Sequence, residues 1–198
     1  NKGILQASGD FIGWLNSDDV YFESALSKVG IFLSENPSID ILYGKSARIN
    51  EKGEVIGWHV TQPYNYKDLL HNINFIPCQA CFFRRSAIAY AGLLDTQLIW
   101  NGDWDLWKRL AKANIFKFYF LNERLGDWRI HKESLSYGGD SFSLYKRSIE
   151  TIRNARKYSE KPITMVEVKS WPYLIVGLLR LRPFFKFVRR LFKNRIKK

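Results

Sequence analysis

The chain has 198 residues, of which 46% are hydrophobic, and its formal net charge is +12. This composition indicates a globular protein with one sizeable core. Ten of the 31 Lys and Arg residues, and none of the 19 Asp and Glu, follow Val168, so residues 1–167 carry a net charge of only +2. That distribution argues against a nucleic-acid-binding surface spread over the fold. The longest uncharged run near the C-terminus, residues 170–179, is too short to span a bilayer.

Hydrophobic periodicity predicts alternating helices and strands along the chain. The predicted helices cover residues 1–7, 22–35, 66–72, 86–91, 104–113 and 141–158. The predicted strands cover residues 11–15, 39–43, 79–83 and 116–121, with a β-hairpin in residues 47–60 that turns at 50–53. The helix at 141–158 carries no obvious chemistry. This order indicates one mixed α/β domain with no internal boundary before about residue 160.

The first candidate site follows the strand predicted at residues 11–15. This apolar run leads directly into Asn16, Ser17, Asp18 and Asp19. In open α/β sheets, ligands bind outside the carboxyl ends of strands, so two acids there suit a nucleotide diphosphate with a divalent cation. The alternative is a turn that caps the next helix, because Ser and Asp accept hydrogen bonds from free helical N–H groups.

Two further candidate sites lie later in the chain. Asp103 is predicted at or just before a helix start, where it is either an N-cap or a general base that takes a proton from an attacking hydroxyl. Leu106, Trp107 and Leu110 form the predicted buried stripe of that helix. Arg129 and His131 share one side of an extended segment, which is predicted as a loop that suits a phosphate or a metal-bound phosphate.

Cys78 and Cys81 form a CxxC motif without the partners or the context of a zinc or redox site. We therefore expect two reduced, partly buried thiols in a reducing compartment.

The basic C-terminal segment, residues 168–198, is amphipathic after Pro183. One helical face is apolar and the other carries Lys and Arg, a pattern typical of a helix that lies in a membrane interface. The alternatives are a terminal helix docked on the domain and, less favoured, a nucleic-acid-binding segment.

Taken in order, these motifs resemble family 2 glycosyltransferases with the GT-A fold. The resemblance extends from residue 1 to about 136. It rests on five segments, at residues 1–19, 82–86, 92–95, 103–110 and 129–136. It implies an α/β fold with a mixed sheet flanked by helices, lacking its first strands and followed by C-terminal amphipathic helices. We expect residues 1–160 to be the C-terminal part of the GT-A domain and residues 161–198 to be the basic tail.

The resemblance also implies a role for each matched residue. Asp18 would approach the nucleotide ribose, and Asp19 would bind a divalent cation, Mn²⁺ or Mg²⁺, on the diphosphate. Asn16 stands in the donor site where many relatives have Asp. Asp103 would be the catalytic base for transfer with inversion. Arg129 would contact the diphosphate.

His131 lies in the same matched segment as Arg129 and would be a second metal ligand. Implied partners are a nucleotide-diphospho-sugar donor, a saccharide or lipid-linked acceptor and a membrane surface, with no nucleic acid. The expected setting is cell-surface polysaccharide or glycolipid synthesis by a cytoplasmic enzyme on the inner face of the membrane. Because donor-site motifs of the family precede this segment, we expect residues 1–198 alone to be inactive. A catalytically inactive scaffold protein and a metal-dependent nucleotidyltransferase remain alternatives.

Overall fold

A computed structural model describes residues 1–70, 74–135 and 141–158. Its helices are α1 (Lys2–Gln6), α2 (Ala25–Glu35), α3 (Tyr66–Leu70), α4 (Arg85–Ala91), α5 (Gly102–Ala113) and α6 (Ser141–Tyr158). Its strands are β1 (Phe11–Gly13), β2 (Val20–Tyr21), β3 (Ile41–Ile49), β4 (Val55–Trp58), β5 (Cys81–Arg84) and β6 (Phe118–Arg129). A 3-10 turn, Cys78–Ala80, leads into β5.

Within the described residues, the strands form one mixed sheet in the order β1-β5-β3-β6-β2. β3 and β6 run parallel, and the other pairs are antiparallel. The first half of β3 pairs with β5 and its last residues pair with β4, while β6 lies along its other side. The carboxyl end of β6 therefore lies beside β2, which follows the Asn16–Asp19 turn directly.

Both faces of this sheet are buried, which explains the nearly continuous apolar runs in β3 and β5. Leu42 and Phe82 point toward α2 and its buried residues Ala25, Val29 and Leu33. Ile41, Tyr43, Cys81 and Phe83 point to the opposite face, where α3, α4 and α5 pack. Since successive side chains of a strand alternate between faces, these two strands supply both core layers.

Most predicted elements are present, with shifts at the sheet edges. The strand predicted at 11–15 ends at Gly13, because among the described strands β1 pairs with the short strand β5 alone. The helix predicted from residue 22 begins at Ala25, and the unpredicted strand β2 precedes it. A two-residue strand is too short to show periodicity, and its pairing with β6 defines it.

The largest correction concerns β6. Residues 127–129 were expected in a loop after a strand ending at 121, yet β6 continues to Arg129. The register against β3 shifts twice between Gly44 and Ser46, so polar residues in the middle of β6 bulge without ending the strand. As a result, the Arg129 backbone is held by the sheet.

The basic segment at residues 161–198 lies outside the described residues. Among the helices that the structure describes, none is both long and apolar enough to cross a membrane.

Candidate active site

A cleft of about 480 Å³ lies beside the start of α5. Asp18 and Asp103 line it together with three indole rings, those of Trp14, Trp100 and Trp128. The cleft therefore brings the first and second predicted sites together, although 84 positions separate their acids in the sequence. Two carboxylates and several aromatic side chains in one cleft are the usual features of a site for a polar ligand with apolar faces.

The turn between β1 and β2 presents Asp18 and Asp19 in different environments. The Asp19 N–H donates to the Asn16 carbonyl at 3.2 Å, which closes the turn. Asp18 lines the cleft, whereas Asp19 is buried with only 6% of its surface exposed. The residue that precedes α2 as its N-cap is Ser24. The helix-cap interpretation of these two acids is therefore wrong.

Both Asp19 oxygens are hydrogen-bonded inside the protein. Oδ1 accepts from the Arg129 N–H at 2.9 Å, and Oδ2 accepts from Asn16 Nδ2 at 2.9 Å. Burial raises the pKa of Asp19, and these two hydrogen bonds oppose that rise. An amide at position 16 can donate to Asp19, whereas an ionised Asp there would repel it. This contact gives a physical reason for Asn16 in this chain.

Arg129 and His131 converge on Asp18, each through a different atom. Arg129 Nε donates to the Asp18 carbonyl at 2.9 Å, and its Nη1 donates to the carbonyls of Asn50 and Glu51. His131 Nε2 lies 3.0 Å from Asp18 Oδ2. The guanidinium thus braces the acidic turn against the β3–β4 hairpin.

The arrangement of Asp18 and His131 fits a divalent cation only in part. Among the described residues, no group of three or more His, Cys, Asp and Glu side chains is placed to hold a metal ion. Mg²⁺ and Mn²⁺ in nucleotide sites commonly take one or two protein ligands, with phosphate oxygens and waters as the others. The Asp18 carboxylate and the His131 imidazole are suitable donors for such a shared site. The roles of Asp19 and His131 as metal ligands stay predictions.

Asp103 lies in the first turn of α5, where Asn101 is the N-cap. Asp103 Oδ1 accepts from the Trp104 N–H at 2.7 Å, and Oδ2 accepts from Asn74 Nδ2 at 3.3 Å. Burial raises the pKa of Asp103 from 3.8 to about 6, although both hydrogen bonds favour the charged form. A carboxylate with a pKa near 6 is ionised at neutral pH and still basic enough to accept a proton.

Helix α5 holds Asp103 rigidly because most of the helix is buried. Leu106, Trp107 and Leu110 are fully buried, as predicted. Trp104 Nε1 donates to the Leu69 carbonyl of α3 at 3.1 Å. The first turn of α5 is therefore fixed to the adjacent helix, and Asp103 can move little relative to the cleft.

The cysteines are both free, as expected. Burial raises the pKa of the Cys78 thiol, and the nearby charges of Asp103 and Asp19 raise it further. Cys78 lines the cleft. It therefore presents a neutral thiol between the two acidic segments.

Sequence reasoning missed Asn74, which donates to Asp103, and Glu150, which contacts the segment before α5. Neither belongs to a local motif. Only the packing of distant segments brings Asn74 to Asp103 and Glu150 to residues 99–101. The helix predicted at 141–158 showed no sequence signal for such a role.

Comparison with known proteins agrees with this fold. Residues 1–92 match the model of glycosyl transferase family 2. That segment contains the Asn16–Asp19 turn, and Asp103, Arg129 and His131 follow it. Over this segment the chain is similar to glycosyltransferase family 2.

Two of the similar curated proteins show how much of this chain and of the relative each match covers. An uncharacterized glycosyltransferase of Methanocaldococcus jannaschii is 27% identical over 132 residues, which are 66% of this chain and 45% of that protein. The Escherichia coli UDP-Glc:alpha-D-GlcNAc-diphosphoundecaprenol beta-1,3-glucosyltransferase WfgD is 24% identical over 90% of this chain and 66% of its own length. The chain spans between about a third and two thirds of the length of the relatives that it matches.

Among solved structures, S. aureus TarS in complex with UDP-GlcNAc has a TM-score of 0.55 and 15% sequence identity to this chain. The match covers 93% of this chain and 52% of the TarS chain. The complex of TarS with UDP gives a TM-score of 0.52 over 91% and 49% of the two chains. This likeness confirms the mixed α/β sheet of the GT-A fold.

Proposed function

We propose that this chain carries the catalytic base and part of the donor site of an enzyme that transfers a sugar from a nucleotide-diphospho-sugar to a hydroxyl acceptor. The observation that carries this proposal is the shared cleft of Asp18 and Asp103. Asp103 has a pKa of about 6 and is held at the start of a buried helix. It therefore meets both requirements of a general base, which are position and basicity.

In the proposed reaction, Asp103 takes the proton of the acceptor hydroxyl as that oxygen attacks the anomeric carbon. The bond from this carbon to the phosphate oxygen breaks, and its electron pair leaves with the nucleoside diphosphate. A single base is sufficient for this one-step displacement, which inverts the anomeric configuration. Hydrolases, by contrast, place two carboxylates across the bond.

On the donor side, Asp18 and His131 are the residues that we propose meet the diphosphate end of the donor. The hydrogen bond between Asn16 and Asp19 stabilises the turn, and Arg129 fixes the turn to the β3–β4 hairpin. A divalent cation bound there would neutralise charge on the departing diphosphate. Asp19 is the predicted metal ligand. Its carboxylate is buried and already accepts hydrogen bonds, so an Asp19 oxygen that bound the ion would have to accept from its present donor as well.

The acceptor class is proposed from the relatives. WfgD is named for glucosyl transfer to a sugar on diphosphoundecaprenol, which is a lipid carrier. We propose a saccharide or lipid-linked acceptor of this general kind, used in cell-surface glycan synthesis. Residues 161–198 would then be a basic amphipathic tail that holds the enzyme on the membrane surface, while residues 1–160 belong to the catalytic domain.

The test uses the full-length enzyme with UDP-, GDP- and dTDP-sugars in the presence of Mn²⁺, and it measures release of the nucleoside diphosphate. Asp103→Asn is expected to abolish transfer and to change donor affinity by less than about threefold, because only the proton acceptor is lost.

The matched control is Asp95→Asn, which neutralises another carboxylate on the cleft wall. This variant is expected to keep most of the activity. Loss of transfer in Asp95→Asn with near-normal transfer in Asp103→Asn would show that the base has been misassigned.

A further inference from the structure

The segment immediately before α5 is fixed by a contact from outside its own helix. Asn101 is the N-cap of α5, yet its side chain makes no capping hydrogen bond to the helix. Instead, Asn101 Nδ2 donates to Glu150 Oε1 at 2.9 Å, and its Oδ1 accepts from Thr151 Oγ1 at 3.3 Å. Both partners belong to α6, so the Asn101 side chain is bound to α6 and not to the first turn of α5.

Glu150 binds the backbone of this segment through consecutive N–H groups. Its Oε1 accepts from the Trp100 and Asn101 N–H groups, each at 2.8 Å, and its Oε2 accepts from the Ile99 N–H at 2.9 Å. Within the part of the chain that the structure describes, this carboxylate accepts four hydrogen bonds. Hydrogen bonds to an ionised acceptor are about twice as strong as neutral ones. A negative charge before α5 also interacts favourably with the helix dipole.

The same segment connects the two sides of the cleft. Trp100 Nε1 donates to the Leu135 carbonyl at 3.2 Å. Leu135 follows Ser134, whose Oγ accepts from the His131 N–H and donates to the Arg129 carbonyl. The contacts of Glu150 therefore extend in one direction to α5, which carries Asp103, and in the other to the turn that carries His131.

We infer that Glu150 is a positioning residue of the active site, which fixes residues 99–101 and so holds Asp103 and the His131 turn at their places in the cleft. This inference rests on the proposed function, since it assigns Asp103 as the base. Glu150 touches no reacting atom, and its effect is transmitted through the backbone of the segment that it binds. Misplacement of a catalytic group by about 1 Å can reduce the rate about 100-fold.

The test compares Glu150→Ala and Glu150→Gln in the full-length enzyme, with Glu35→Ala as the control. Glu35 is an exposed acid at the end of α2. Glu150→Ala is expected to lower kcat about 10- to 100-fold and to change the donor KM by less than about threefold. Glu150→Gln keeps one carbonyl oxygen that can accept at the Oε1 position, so its kcat is expected to lie between Glu150→Ala and the parent.

A second readout separates positioning from general stability. Without Glu150, the segment before α5 is held less tightly and water reaches Asp103 more easily, so the acid limb of the kcat profile is expected to move to lower pH. Hydrogen exchange of the peptide that contains residues 99–101 is expected to accelerate at least tenfold in Glu150→Ala and to stay unchanged in Glu35→Ala.

Two results would overturn the inference: a normal kcat in Glu150→Ala, or unchanged exchange at residues 99–101. If the parent enzyme releases no nucleoside diphosphate from UDP-, GDP- or dTDP-sugars, the proposed function fails instead. The exchange experiment then decides by itself whether Glu150 fixes the segment.

Discussion

Replacement of Asp103 by Asn is expected to stabilise the folded protein at neutral pH while it removes activity. Burial raises the pKa of Asp103 from 3.8 to about 6, which means that the fold holds this carboxylate in a place that disfavours its charge. Two pKa units correspond to about 3 kcal/mol. The Asn side chain can still accept from the Trp104 N–H, but its own NH₂ group faces that of Asn74, which costs about 1 kcal/mol. The expected net gain at pH 7.5 is about 2 kcal/mol.

The direction of the pKa shift determines how the stability difference between Asp103→Asn and the parent changes with pH. Because the pKa is higher in the folded state, the folded protein binds the Asp103 proton more tightly than the unfolded chain does. This contribution to stability is fully present below about pH 4 and is lost as the pH rises through about 6. The advantage of Asp103→Asn should therefore be greatest above about pH 7 and should disappear near pH 4.

The assay is urea unfolding of the full-length parent and of Asp103→Asn at several pH values, with Asp10→Asn as the control. Asp10 is exposed, and its substitution removes the same charge. If Asp103→Asn were less stable than the parent at pH 7.5, or if its advantage did not depend on pH, the argument from burial would be refuted.

Three other predictions can be tested on the full-length protein. The kcat of the parent should fall about tenfold per pH unit below about pH 6, as Asp103 becomes protonated. Asn74→Ala should move this fall in kcat to higher pH, because it removes a hydrogen-bond donor to the charged Asp103. An unchanged pH profile in Asn74→Ala would exclude Asn74 as a donor. Gly126→Ala should destabilise the fold by more than about 2 kcal/mol in urea unfolding, because a Cβ there would collide with the Gln79 carbonyl, whereas Gly30→Ala in α2 meets open space and should stabilise by about 0.5–1 kcal/mol. Equal loss in both variants would contradict the close approach of β6 to the 3-10 turn. Removal of residues 168–198 should abolish sedimentation with anionic liposomes, and equal pelleting with and without this segment would exclude the membrane proposal.

The sequence by itself determined the order of the elements and the chemistry of the acidic turn. The apolar run before Asn16–Asp19 and the buried stripe of α5 are local patterns, with periods that fix the type of element. The family resemblance rests on the same local order, and it assigned roles to Asp103, Arg129 and His131. The periodic segments at 104–113 and 141–158 also agree with α5 and α6 within two residues.

Only the tertiary structure decided which atoms of these residues meet. His131 contacts the Asp18 carboxylate, whereas Asp19 turns inward to the Arg129 N–H and Asn16. Neighbouring acids in a turn look alike in a sequence, and the pairing of β2 with β6 distinguishes them.

The tertiary structure also decided the properties of Asp103 and its connection to Glu150. The raised pKa of Asp103 arises from burial. The hydrogen bonds of Glu150 join segments about 50 positions apart in the chain. No local pattern reports such contacts, because they form only when α6 packs beside the start of α5. The sequence thus determined which groups are available for chemistry, and the packing decided how they are placed and charged.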